Sequence, residues 1–118
     1  MFKIPNDPQV VFDTVARHLL TQKMRSVGEN SECLYRSPKG LKCAAGCLIP
    51  DDKYSSTMEG KCWDVLVARE IVSSTNQSLI ANLQLIHDRK DPKHWLNELY
   101  TLAANLELNT SVLSEFER

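Results

Sequence analysis

Glu32-Cys33-Leu34-Tyr35-Arg36-Ser37-Pro38-Lys39-Gly40-Leu41-Lys42-Cys43-Ala44-Ala45 decides the fold class of this chain, because helical patterning lapses there. Ser37-Pro38-Lys39-Gly40 has the composition of a type I turn, with serine first, proline second and glycine fourth. Short arms flank it, and together they predict a two-stranded β-hairpin over residues 32–45. An isolated ribbon with arms of about four or five residues is marginal in water, so this one is expected to lie against helices. The expected fold class is therefore α+β, mainly helical, with about four helices and one short hairpin.

Upstream, Asp7-Pro8 pairs a capping side chain with a proline whose missing N–H costs nothing in a first turn. Val11, Phe12, Val15, Leu19 and Leu20 then recur at helical steps, and Lys23 and Arg25 suit the carboxyl end of a helix dipole. With Gly28 and Asn30 as terminators, a helix is predicted over residues 8–26. Downstream, residues 46–57 read mostly as loop, since Pro50 pushes Ile49 out of helical conformation. Trp63, Leu66, Val67 and Ile71 predict a helix within residues 59–72, weakened by β-branched side chains. Ser74 and Gln77 have capping-box form, and Leu79, Ile80, Leu83 and Ile86 make the next stripe, over residues 76–89. Asp91-Pro92 repeats the opening device of the first helix. Trp95, Leu96, Leu99, Tyr100, Ala103 and Leu106 carry a helix to residue 106, and Val112, Leu113 and Phe116 suit a short closing helix.

The whole chain bounds these readings. Its 118 residues, 42% hydrophobic and 25% charged, fit one globular domain spanning residues 1–118, without repeats or low-complexity linkers. Fourteen basic against fifteen acidic residues remove the field of a dedicated nucleic-acid binder and that of a nucleic-acid mimic. No apolar run approaches the roughly 20 residues that span a bilayer, and residues 1–30 lack the apolar centre of a secretory signal, so a soluble cytoplasmic protein with no membrane partner is expected.

Four cysteines raise the question of metal. Cys43 and Cys47 lie four apart and can share a face, but Cys33 and Cys62 stand alone, far from the repeated close pairs of structural zinc sites. Free cysteine packs as a small hydrophobe, so core thiols are expected and no cofactor, with Cys33, Cys43, Cys47 and Cys62 as the ligand set if zinc binds. A thiol-dependent enzyme would draw on Cys43 as nucleophile and His87 as base. Asp88 is not expected to orient its neighbour, because adjacent helical residues diverge by about 100°. His87 also continues the Ile80 and Leu83 stripe, which predicts a partly buried histidine bonded to a backbone carbonyl. Arg36, Lys39 and Lys42 beside Tyr35 offer weak nucleic-acid binding, opposed by the nearby acids Glu29, Glu32, Asp51 and Asp52. No phosphate loop, nucleophile elbow or HExxH motif is present.

Cys33-Leu34-Tyr35-Arg36, then Gly40-Leu41-Lys42-Cys43-Ala44-Ala45-Gly46-Cys47-Leu48-Ile49-Pro50-Asp51, and later Leu83-Gln84-x-x-His87-Asp88 followed by Trp95, form a distinctive block. The block resembles a family of small proteins encoded by tailed phages and prophages, over most of the chain up to about Leu106. The family carries no activity to transfer. The resemblance implies that the position of Cys47 also takes alanine, as suits a core thiol, and it implies an accessory protein that binds a host factor in the cytoplasm of an infected or lysogenic bacterium. A non-enzymatic module binding and modulating a host protein is therefore the leading expectation. Its contact surface is expected at the hairpin and the loop over residues 50–60, through Tyr35, Arg36, Lys39 and Lys42 together with Asp51, Asp52 and Tyr54. The alternatives are the thiol enzyme or zinc protein and the weak nucleic-acid binder.

Overall fold

The structure, a computed structural model, describes residues 1–117. Five α-helices form it: α1 (Pro8–Gln22), α2 (Trp63–Ala68), α3 (Gln77–Arg89), α4 (Trp95–Leu106) and α5 (Ser111–Ser114). Single 3-10 turns occupy Gly46–Leu48, Ser56–Met58 and Pro92–His94. No helix among the described residues is long and apolar enough to cross a membrane.

Helix α1 is the axis of the core and packs on α3, α4 and α5. Asp7 opens it as expected, its Oδ1 accepting the Gln9 amide at 2.9 Å. The predicted stripe Val11, Phe12, Val15, Leu19 and Leu20 is buried throughout. The helix ends four residues earlier than its composition predicts, at Lys23 in the left-handed region (φ 63°), whose amide returns to the Leu19 carbonyl. That early exit frees Arg25 and Ser26 to contact α3. The α3 stripe Leu79, Ile80, Leu83 and Ile86 is buried, and so are Trp95, Leu99 and Ala103 of α4, whereas Leu106 is exposed. Helix α2 is shorter than expected, because Glu70 takes a positive φ and both Ile71 and Val72 fold their amides back onto the Leu66 carbonyl. Asn76 rather than Ser74 occupies the cap position of α3, and its side chain makes no capping bond there, donating instead to the Pro5 carbonyl at 2.8 Å. Phe2 and Ile4, unremarked in the sequence, join the core by running beside Val72 and Ser73.

The β-hairpin is absent: among the described residues, 32–45 hold one isolated antiparallel pair, Arg36 opposite Lys42, and the chain is mainly helical without a sheet. The turn itself forms, with Gly40 N donating to Ser37 O at 3.0 Å. What fails is the ladder, because side chains from elsewhere take the strand amides. Glu59 accepts from Tyr35 N (2.9 Å) and Arg36 N (3.1 Å), Gln22 Oε1 from Lys42 N (2.9 Å), and Gln84 Oε1 from Ala45 N (2.8 Å). A backbone donor has one hydrogen to give, so those bonds replace strand pairing. Gly46 then passes so close to Tyr35 that a Cβ would sit 2.2 Å from the Tyr35 carbonyl oxygen.

Glu59 is the strut of this irregular segment, since it also accepts the Tyr54 hydroxyl at 2.7 Å. Glu59→Ala is expected to lower unfolding free energy by about 2–3 kcal/mol, through two amides left without an acceptor. Urea denaturation measures this, and an unchanged midpoint would contradict the strut role.

Candidate functional site

The residues with chemistry gather where the segment after α1 meets the carboxyl end of α3. His87 is completely buried in the last turn of α3, its ring stacked on Trp95 at 5.7 Å between centroids. Ser26 N donates to His87 Nε2 at 3.0 Å. An amide can only donate, so Nε2 accepts, and the ring proton sits on Nδ1, from which it is donated to Asp88 Oδ1 at 2.8 Å. His87 is thus a buried structural histidine, but its partners are a backbone amide and a carboxylate rather than the expected carbonyl. The expectation that Asp88 cannot orient its neighbour is also overturned. Nδ1 is the ring nitrogen nearest the backbone, and its short reach suffices for an adjacent carboxylate.

Around this pair the partners are dense. Gln84 Nε2 donates to Asp88 Oδ1 at 2.7 Å, one turn away on α3, while its Oε1 holds Ala45 N. Arg25 donates from Nε to the His87 carbonyl (3.1 Å) and from Nη2 to the Lys90 carbonyl (2.6 Å), closing the end of α3. Burial alone would raise the Asp88 pKa, but hydrogen bonds from His87, Cys33 and Gln84 outweigh it and hold the carboxyl below its ordinary value.

The thiol beside His87 and Asp88 is Cys33, not Cys43. Donor atoms of Cys33, His87 and Asp88 lie within 4.8 Å of one another, the one group of this kind among the described residues. The zinc set Cys33, Cys43, Cys47 and Cys62 is accordingly not assembled. Burial first, and the nearby Asp88 second, push Cys33 up to about 11 although its surface is exposed. Cys43 is buried, which drives its thiol far up, and its sulfur accepts Gly46 N at 3.2 Å. Burial likewise pushes Cys47 up to about 12. Neither ring nitrogen of His87 is left to serve Cys43, so the nucleophile and base of the enzyme reading do not meet. Cys33, Cys43 and Cys62 do line one cleft of about 280 Å³, together with Tyr35, Trp63 and Asp88.

The expected contact residues divide into a support and a rim. Tyr35 is buried, edge-on to Trp63 at 6.3 Å, with its hydroxyl on the Lys61 carbonyl at 2.6 Å. The Arg36 side chain is only 18% exposed. It donates to the Ile49 carbonyl, pairs with Asp51 at 2.9 Å and lies 4.7 Å over the Tyr54 ring. Lys42 lies 3.6 Å from the same Asp51 carboxylate. Of the three cations in the nucleic-acid reading, two are therefore engaged internally. Lys39 and Asp52 are exposed and Tyr54 is half-buried.

The comparisons with known proteins return no match to a family model, a curated protein or a solved structure.

Sequence reasoning missed Ser26, Glu59 and the place of Cys33, and it put Arg25 at the end of α1, whereas Arg25 lies beyond α1 and closes the end of α3. A partial signal existed, since Gln84 and Asp88 are four apart on a predicted helix, a spacing at which an amide reaches a carboxylate.

Two outcomes follow. At neutral pH, iodoacetamide is expected to alkylate exposed Cys62 at least about tenfold faster than buried Cys43, read by peptide mass spectrometry, and the reverse order would contradict an inert Cys43. His18 donates from Nε2 to the Lys42 carbonyl at 2.9 Å, and burial foremost lowers its pKa from 6.5. The unfolded chain then binds a proton that the folded chain resists, so stability falls as pH drops below about 6.5. His18→Gln, which retains a donor, is expected to flatten that fall in urea midpoints between pH 7 and 5, and coincident profiles would refute it.

Proposed function

We propose that this protein is a non-enzymatic accessory protein of tailed-phage type that binds and modulates a protein of its bacterial host in the cytoplasm. The observation supporting this reading is the construction of residues 23–62, which lack α-helix and sheet yet are held by side chains bonding to backbone across the fold. Such a segment keeps an irregular surface in one shape before binding, and loss of loop entropy then opposes association less. Tyr35, Arg36 and Glu59 support the surface from beneath. Lys39, Asp51, Asp52 and Tyr54 form its rim, with the Asp51 side chain 85% exposed. Opposite charges in this rim favour recognition of a complementary protein surface over a uniform phosphate backbone.

The thiol-enzyme reading is not favoured, because His87 has no free ring nitrogen and Cys43 is buried. The nucleic-acid reading loses Arg36 and Lys42 to Asp51.

The test is affinity capture from host lysate with wild-type protein, a Lys39→Glu/Asp52→Lys double variant and an Asn105→Lys control on α4. A host protein enriched by wild type and control and depleted at least about tenfold by the double variant is expected. No enriched partner would overturn the proposed function, and equal capture by all three would overturn the assigned surface.

A further inference from the structure

We propose that Cys33, His87 and Asp88 form a binding site for one divalent metal ion of the zinc type, and that filling it takes the acceptor away from the Ser26 amide. The three residues offer a thiol sulfur, an imidazole nitrogen and a carboxylate oxygen within 4.8 Å of one another. Mixed sulfur, nitrogen and oxygen donors suit zinc, whose bonds of about 2.0–2.3 Å place its ligands roughly 3–4 Å apart. Binding then requires the exposed Cys33 side chain to turn toward the ion.

Two of the three ligands face solvent-accessible clefts, and His87 lies buried behind them. Cys33 and Asp88 line two clefts, one of about 280 Å³ on the Tyr35 side and one of about 470 Å³ bounded by Lys23, Met24, Arg25 and Val27. An ion held by three side chains would therefore keep its fourth position open to water. Gln84 orients the carboxylate and Trp95 fixes the plane of the ring, as outer partners do in metal centres.

The linkage to Ser26 follows from proton positions. The ring now carries its proton on Nδ1 and accepts Ser26 N–H on Nε2. Nδ1 can bind a metal only after losing its proton, so the ring shifts to the tautomer protonated on Nε2, the Nδ1 lone pair goes to the ion, and the Cys33 thiol gives its proton to solvent as sulfur binds. Nε2–H then faces Ser26 N–H, two donors where the structure has one donor and one acceptor. The bond at the Ser26 amide breaks, while the ion's bond to Cys33 and the Ser26 Oγ bond to the Leu34 carbonyl at 2.8 Å keep the segment against α3, so the change is local to that amide.

The test uses the full chain, stripped with chelator and titrated with Co²⁺ as a spectroscopic substitute for Zn²⁺. One equivalent is expected to produce a thiolate-to-cobalt charge-transfer band that Zn²⁺ abolishes by displacement. Cys33→Ser should remove the band and Asp88→Asn should weaken Co²⁺ binding at least about tenfold, while Cys43→Ser and Cys62→Ser retain it. Because Cys33 is exposed, unchanged far-ultraviolet circular dichroism of Cys33→Ser separates lost binding from lost folding. Amide exchange at Ser26 should accelerate at least about tenfold with Zn²⁺. Absence of the band at stoichiometric Co²⁺, or its survival in Cys33→Ser, would overturn the site. A band without faster exchange at Ser26 would overturn the linkage.

Discussion

A backbone amide buried at Ser26 requires an acceptor, and the one it finds is the Nε2 of a histidine sixty-one residues away. Much of the molecule is arranged around that bond. It fixes the tautomer of His87, which turns Nδ1–H toward Asp88, whose carboxylate also collects Gln84, whose carbonyl in turn holds Ala45 N. On the backbone side Arg25 closes the last carbonyls of α3, and the Trp95 indole donates to the Lys90 carbonyl at 3.1 Å. Two adjacent residues, Arg25 and Ser26, thereby attach the irregular segment to the end of α3. An unsatisfied amide or imidazole at this depth costs about 1–3 kcal/mol, so each partner holds the others in place.

The helices and the irregular segment share one apolar core but differ in what fixes their shape. Helices α1, α3 and α4 bury apolar stripes against each other, a non-directional gain that tolerates small shifts. Residues 23–62 lack such stripes; they bury Tyr35, Cys43, Ala44, Ala45, Ile49 and Met58 singly in the same core and add directional bonds from Gln22, Glu59 and Gln84 to specific amides. Directional bonds fix shape better than they add free energy, since a typical one contributes only about 0.5–1.5 kcal/mol net. An irregular surface on a helical platform is the consequence, and its rigidity comes from the three polar side chains rather than from pairing of strands.

That difference also governs what could be read from the chain. The stripes of α1 and α3 are encoded by spacing within a few turns, and the Asp7-Pro8 and Asp91-Pro92 caps are encoded by adjacent residues. Residues 32–45 carry a sound turn at Ser37 to Gly40 and still form no hairpin. The groups that take their amides lie up to thirty-nine residues away, and no local pattern announces them. The candidate site divides in the same way. His87 was legible as a buried member of the α3 stripe, and Asp88 was visible beside it, but Cys33 reaches them only through the tertiary path fixed by Arg25 and Ser26.

Charge supplies the last step. Near-neutrality of the whole chain does not by itself decide how cations are used, because a basic face can be balanced by acids elsewhere. Here the balance is local: one exposed carboxylate, Asp51, meets both Arg36 and Lys42, and Arg36 is further held by the Ile49 carbonyl and the Tyr54 ring. Cations bound in this way maintain the surface and contribute little field beyond it. Under the proposed function, recognition would rest on fit to this relief with mixed charges at its rim, and the same bonds that occupy Arg36 and Lys42 are the ones that hold that relief in shape.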